Sequence, residues 1–483
     1  MKKMMNWMLA AILICGASVM TSCTNDTSDN PAQEQARQNR KEFVQHTRAT
    51  LKDLAQNLNF TSWEAANNFN TYFNQYVLGN PEFKSSVMWA TLLQAVRSGL
   101  QEVEPGSKLA EMGIQKYITI DLNNFKHRFT MSDNNNDFNR EDADCFEVIL
   151  NSYNPMTQQI EKGLYKITMK TSGKSLERVF PVRDTDGGAY VFIIPSEFQF
   201  AISSKFTGEW HEDFSGILHF TLPEGATDDS KGYTADAVIN TDVTSTTGKK
   251  DQTQLTFALT SDRVNNTGNA LISYVQNNRK MLELSIKESG EGGMRNFDLS
   301  QFNSSSSIFE VIAALMNSQR LDEGKLTLLD DLTATISISD MAKCVEVARE
   351  AAAARRHYAD QKTIDQYTQQ LNDIIQCSMT CKGVNQTIPM RMMTSKFGVD
   401  YMPMPAFNFA DENGYVSFVD MLDPESVQYG INIVDHAAEP MQQSIIVIRQ
   451  LVEFVQSLSS FMEKITSSSP TASEAQARLN NVQ

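Results

Sequence analysis

His211-Glu212-Asp213 and His219 are the side chains of this sequence whose types best suit a metal-dependent hydrolase. Imidazoles beside carboxylates can hold a divalent ion and activate a water molecule. A helix-borne zinc motif needs a second histidine four residues after the first, and that position is Ser215. The flanking runs, 206–210 and 216–222, read as strands about a turn. His211 and His219 would therefore share an ion only if a hairpin brought them together, and surface or edge histidines are the ordinary alternative. Asp133, Asn135, Asp137 and Asp144 match a calcium-loop frame in part. Phe138 stands where the sharp turn needs glycine, and the flanks again read as strands, so a solvated turn is the default. Gly173-Lys174-Ser175 lacks the first glycine of a phosphate loop, and no catalytic triad can be nominated from spacing.

The cysteines offer other chemistry. Cys344 and Cys377 are placed symmetrically about a turn at 357–362, so an antiparallel helical hairpin would bring them level, within the roughly 5.5 Å Cα separation of a disulfide. Bridging them could add about 3 kcal/mol. Cys344–Cys381 is the lesser alternative, and buried free thiols are the other. Cys377 and Cys381 could begin a zinc site, but no histidine pair lies nearby at the required spacing. Met390, Met392, Met393, Met402 and Met404 suit a core lining, with an apolar ligand pocket as the alternative. Trp210, beside the His211 turn, is the one candidate for stacking against a sugar. No catalytic residue and no cofactor are assigned.

At the other end of the chain, Lys2 and Lys3 precede an apolar segment, Trp7 to Val19, that ends in Met20-Thr21-Ser22-Cys23. Two small residues before a cysteine resemble the lipobox of bacterial lipoproteins, although Met20 replaces the usual leucine. The resemblance covers the first 23 residues only. It implies that a diacylglycerol is attached to Cys23, that residues 1–22 are removed, and that the mature protein is anchored in the cell envelope, on the outer membrane. Asp26 and Asp29 could add a sorting signal toward the cell surface.

The formal charge is −16 and becomes more negative once Lys2 and Lys3 are lost. Such a surface repels phosphate backbones, so nucleic acid is not an expected partner. No later stretch matches the roughly 18 uninterrupted apolar residues of a membrane span. Hydrophobic content of 41 % fits a packed globular body, and the length points to two or three packed units.

The pattern around these residues divides into segments. A polar tether at 23–40 is expected, then a helical unit at 41–112. Val44, Thr47, Leu51, Leu54 and Leu58 form one apolar stripe, and a second helix runs from a Thr61/Glu64 capping box to Gly79. Pro81 opens a third helix, and Trp63 and Trp89 are expected in the core. From 113 to 340, short alternating runs such as 117–122, 145–150, 164–170 and 189–194 predict an antiparallel β domain. A polar break is expected at 288–307 and a short helix at 308–316. A helical hairpin at 341–380 follows, then strands and a strongly apolar helix through 466, and a frayed tail at 467–483. The predicted fold class is α+β: a large antiparallel β-sheet, curled or two-layered, with an N-terminal helical unit, an inserted hairpin and a C-terminal helix. In organisation it resembles large β-rich envelope lipoproteins of unknown function. Such an architecture suits a non-catalytic binding or structural protein held to the membrane by its lipid. The expected partners are an envelope protein, a lipid or acylated ligand, or a glycan, with a metal-dependent hydrolase as the alternative.

Overall fold

A computed structural model describes residues 31–421 apart from short gaps and the stretch 293–317, together with scattered positions between 426 and 460. Cys23, the Thr61 cap, Trp89 and the expected helix at 308–316 lie outside the described residues.

In chain order, α1 (Pro31–Asn57) precedes α2 (Glu64–Tyr72), which continues as a wider π-helical turn, Phe73–Leu78. Then come β1 (Gln101–Glu102), α3 (Lys108–Glu111), β2 (Lys116–Asp121), β3 (His127–Met131), β4 (Phe138–Asp142) and β5 (Phe146–Asn154). They are followed by β6 (Gln159–Ser172), β7 (Leu176–Pro181), β8 (Gly188–Ile194), β9 (Glu197–Ser204), β10 (His211–Thr221) and β11 (Gly232–Thr244). Next are β12 (Lys250–Asp262), β13 (Thr267–Gln276), β14 (Arg279–Gly292), β15 (Ser318–Leu328) and β16 (Leu332–Ile338). The last elements are α4 (Met341–Arg356), α5 (Gln361–Ile374), β17 (Ile375–Cys381), β18 (Val384–Phe397), β19 (Asp400–Asn408), β20 (Tyr415–Ser417) and α6 (Phe418–Met421). Large sheets and helices coexist without regular alternation, so the fold class is α+β.

The chain divides into two compact units, one built from the residues up to Ser62 and from Thr244–Gln442, the other from Trp63–Val243 and from Gln443 onward. In the first, the strands follow the order β20-β19-β18-β17-β16-β15-β14-β13-β12, every neighbour antiparallel. The cause is visible in the sequence. Along β16 (LTATISI) every second residue is buried, the period of a strand with one face in a core. Asn277 and Asn278 take φ of 49° and 63°, the primed turn whose twist suits a two-residue hairpin between β13 and β14.

Helix α1 crosses the tips of these hairpins. Asp53 accepts both guanidinium N–H bonds of Arg279, the first residue after the Asn277-Asn278 turn, at 3.1 and 2.6 Å. Arg40 donates to the buried Asp411 at 3.1 Å. Between them the ring of Phe43 sits 5.2 Å from Phe407 and 5.3 Å from Phe409. The expected tether is therefore corrected over 31–40, and 23–30 lie outside the described residues. Pro31 opens the helix, where a missing N–H costs nothing, and Gln35–Asn39 and Gln38–Glu42 side-chain pairs support it. The expected three-helix unit is also revised, since α1 belongs to the first unit and α2 to the second.

The second unit carries the strand order β11-β10-β9-β6-β5-β3-β4, parallel only between β3 and β5, and a smaller sheet β1-β2-β8-β7 with one parallel pair, β2 and β8. Its core is aromatic: Phe69 stacks on Phe73 at 5.3 Å and meets Phe200 and Phe214 at 5.7 and 5.6 Å. Phe200 lies directly opposite Gly216, and a Cβ there would fall 2.3 Å from the ring, so the glycine makes room for the aromatic across the strand. A cavity of about 10 Å³ lined by Leu122, Phe125, Phe146, Phe198 and Phe454 has room for little more than one water.

The inserted hairpin holds, with Asp340 and Asp360 as N-caps accepting from the Lys343 and Thr363 amides at 2.8 and 2.9 Å. Its end differs from the expectation. α5 stops at Ile374, Ile375 is extended, and Cys377 lies on β17, so it is not level with Cys344 on a returning helix. Both are free thiols. Burial pushes each thiol up to about 11 from 9.0. A raised folded-state value means stability is intact below about 9, where neither state ionises, and is lost as pH rises toward 11. Urea midpoints measured from pH 8 to 11 should fall, and Cys344→Ala should flatten that fall.

Candidate functional site

Glu42, His46 and Thr50 recur every four residues on α1 and so form one polar stripe beside its buried residues Phe43, Thr47 and Leu51. The stripe meets two adjacent hairpin tips. In the first, Leu329 and Asp330 adopt φ of 52° and 54°, the Asp331 amide donates to the Leu328 carbonyl at 2.9 Å, and the chain reverses into β16 with Asp331 at the tip. In the second, Cys381 ends β17 and Gly383, at φ 90°, makes the reversal into β18. The Lys382 amide donates to the Asp331 carbonyl at 2.9 Å and stitches tip to tip.

These elements converge His46, Asp331 and Cys381, one ligand-type atom from each lying within 4.8 Å of the others. Thr50 Oγ1 donates to Asp331 Oδ2 at 2.7 Å, and His46 Nδ1 lies 3.4 Å from the same oxygen. Asp331 Oδ1 is buried without a hydrogen-bond partner among the described residues. The Cys381 thiol, donating to its neighbour's carbonyl at 3.5 Å, is pushed up to about 12 by burial first, then by the Asp331 and Glu42 carboxylates. It keeps its proton at neutral pH and is a poor nucleophile. His46 is 40 % exposed, which leaves a path from solvent. Its ring lies against Gly383, where a Cβ would come 3.1 Å from Nε2.

The residues first singled out from the sequence are distributed elsewhere. His211 and His219 occupy one strand, β10, not two arms of a hairpin. Eight residues of extended chain separate them by about 26 Å, so they cannot share an ion. His211 Nδ1 pairs with Asp213 at 2.9 Å. His219 bridges three strands, Nδ1 to Asp236 on β11 at 3.0 Å and Nε2 to Glu197 on β9 at 3.1 Å. Glu212 lies exposed at the start of β10. Trp210 is 37 % exposed, with Lys166 and Lys205 ammonium groups 4.8 and 5.8 Å from its ring centre. Asp133 and Asp137 flank the β3–β4 reversal, and Asp133 pairs with Lys162 at 2.7 Å while Asp144 lies in the next connection. Of the five methionines, Met390, Met402 and Met404 are buried on β18 and β19, and Met392 and Met393 are half-buried on β18.

Sequence reasoning missed His46 and Asp331. Cys381 was noticed only as an alternative disulfide partner of Cys344 and as a neighbour of Cys377, which stands four residues away along a strand, about 13 Å, too far to share an ion. The usable signal was a histidine in a polar stripe beside an apolar one on the same helix. No protein-family model matches the chain, and neither a curated protein nor a solved structure matches it.

Proposed function

We propose that this chain is a lipid-anchored protein of the cell envelope, on the outer membrane, whose folded body works by binding and not by catalysis. The observation that carries the reading is the run Met20-Thr21-Ser22-Cys23 behind a basic start and an apolar segment, the pattern a lipoprotein peptidase cleaves. Among the described residues no helix is long and apolar enough to cross a membrane, which is consistent with an anchor of acyl chains. The histidines that would suit a hydrolase are held apart along one strand, and both ring nitrogens of His219 are taken by Glu197 and Asp236. The aromatic cavity is far too small for an acyl chain, so a carrier of apolar ligands gains no support from it.

Fractionating cells that express the wild-type chain and Cys23→Ser tests the reading. The wild type is expected in the membrane pellet, released by detergent but not by salt, and the variant in the soluble fraction. A variant that pellets as the wild type does would overturn the anchor.

A further inference from the structure

We infer that His46, Asp331 and Cys381 form a binding site for a borderline-soft divalent cation, zinc by chemical class, with a water or fourth donor completing a tetrahedron. A thiol, an imidazole and a carboxylate are the donor types zinc selects, and calcium or magnesium would demand oxygen alone.

The geometry supports an ion more than it supports a hydrogen bond. Two ligands about 2.05 Å from a tetrahedral ion stand about 3.4 Å apart. That is the separation of His46 Nδ1 and Asp331 Oδ2, which is long for a hydrogen bond to a carboxylate. The Cys381 sulfur lies within 4.8 Å, so closing the set needs a shift of about 1 Å at a hairpin tip. Thr50 supplies the outer contact that such a ligand usually has, orienting the Asp331 carboxylate through Oδ2. The other oxygen, Oδ1, is buried with no hydrogen-bond partner among the described residues, so the carboxylate's charge is under-compensated, and a cation on Oδ2 would offset it. On binding, the Cys381 S–H bond breaks, its proton leaves to solvent, and the sulfur lone pair forms the metal–sulfur bond.

Such an ion would tie α1 to the β15–β16 and β17–β18 reversals, segments separated by 285 residues between His46 and Asp331. Its role would be to fasten the helix across the sheet tips. This goes beyond the envelope reading and does not depend on the lipid anchor.

The test is titration of the reduced, chelator-treated full chain with cobalt(II) alone, followed by displacement with zinc. One equivalent should bind with tetrahedral visible bands and a thiolate-to-cobalt charge-transfer band in the near ultraviolet. Cys381→Ser should abolish the charge-transfer band, Asp331→Asn should weaken binding at least about 100-fold, and Thr50→Val about 10-fold. Cys377→Ser should leave all bands intact. Circular dichroism of each metal-free variant shows whether it folds, and His46→Gln replaces any that does not. Absence of saturable binding by the wild type, or a charge-transfer band that survives Cys381→Ser, would overturn the site.

Discussion

Phe43→Ala is expected to lower the unfolding free energy of the first unit by about 3–5 kcal/mol, the usual cost of emptying a buried aromatic site. Phe43 is 1 % exposed, and its partners Phe407 and Phe409 are equally enclosed. Both rings lie between 5 and 5.5 Å from it in tilted arrangements, the geometry in which aromatic pairs add to simple burial. The polar anchors of α1 compensate little. Arg279–Asp53 is half exposed and contributes well under 1 kcal/mol once solvent screening is counted. Loss of Phe43 therefore frees the helix that carries His46 and Thr50. Hydrogen exchange of the α1 amides should accelerate markedly, and Phe43→Leu should restore most of the protection. If α1 amides exchange at wild-type rates in Phe43→Ala, the aromatic clamp is not what holds the helix.

Phe146→Ala should cost the second unit a similar amount, about 3–5 kcal/mol. Its ring stands 5.4 Å from Phe125, 6.0 Å from Phe129 and 5.9 Å from Phe454, so truncation removes the centre of a cluster. It would also open into the adjoining cavity of about 10 Å³, and the lining aromatics cannot close over a gap of that shape without leaving their own contacts. Trp63 and Trp210 belong to this unit, so tryptophan fluorescence in urea reports on it. An unchanged midpoint would show that the cluster is not the core.

The strands and the hairpin were legible because their causes are local. Alternation marks 117–122 and 189–194 to within a residue. The start of α1 was not legible. Residues 31–40 are polar, and nothing in their composition shows that Ala36 and Asn39 become buried. The end of α5 was misplaced because Ile375, Cys377 and Met379 continue an apolar pattern that fits a strand as well as a helix. The candidate metal centre was invisible for a different reason. It consists of one residue on a helix and one at each of two hairpin tips, and strand order together with the packing of α1 on those tips brings them together. The histidines that drew attention on β10 share a strand, and a strand keeps its residues apart.

The anchoring claim is tested most directly by the intact mass of the protein purified from membranes of its native type of cell. The account predicts a chain beginning at Cys23 and heavier than its peptide by a diacylglycerol, with or without a further acyl group on the new amine. A chain that still begins at Met1 with an unmodified Cys23 sulfur would contradict it.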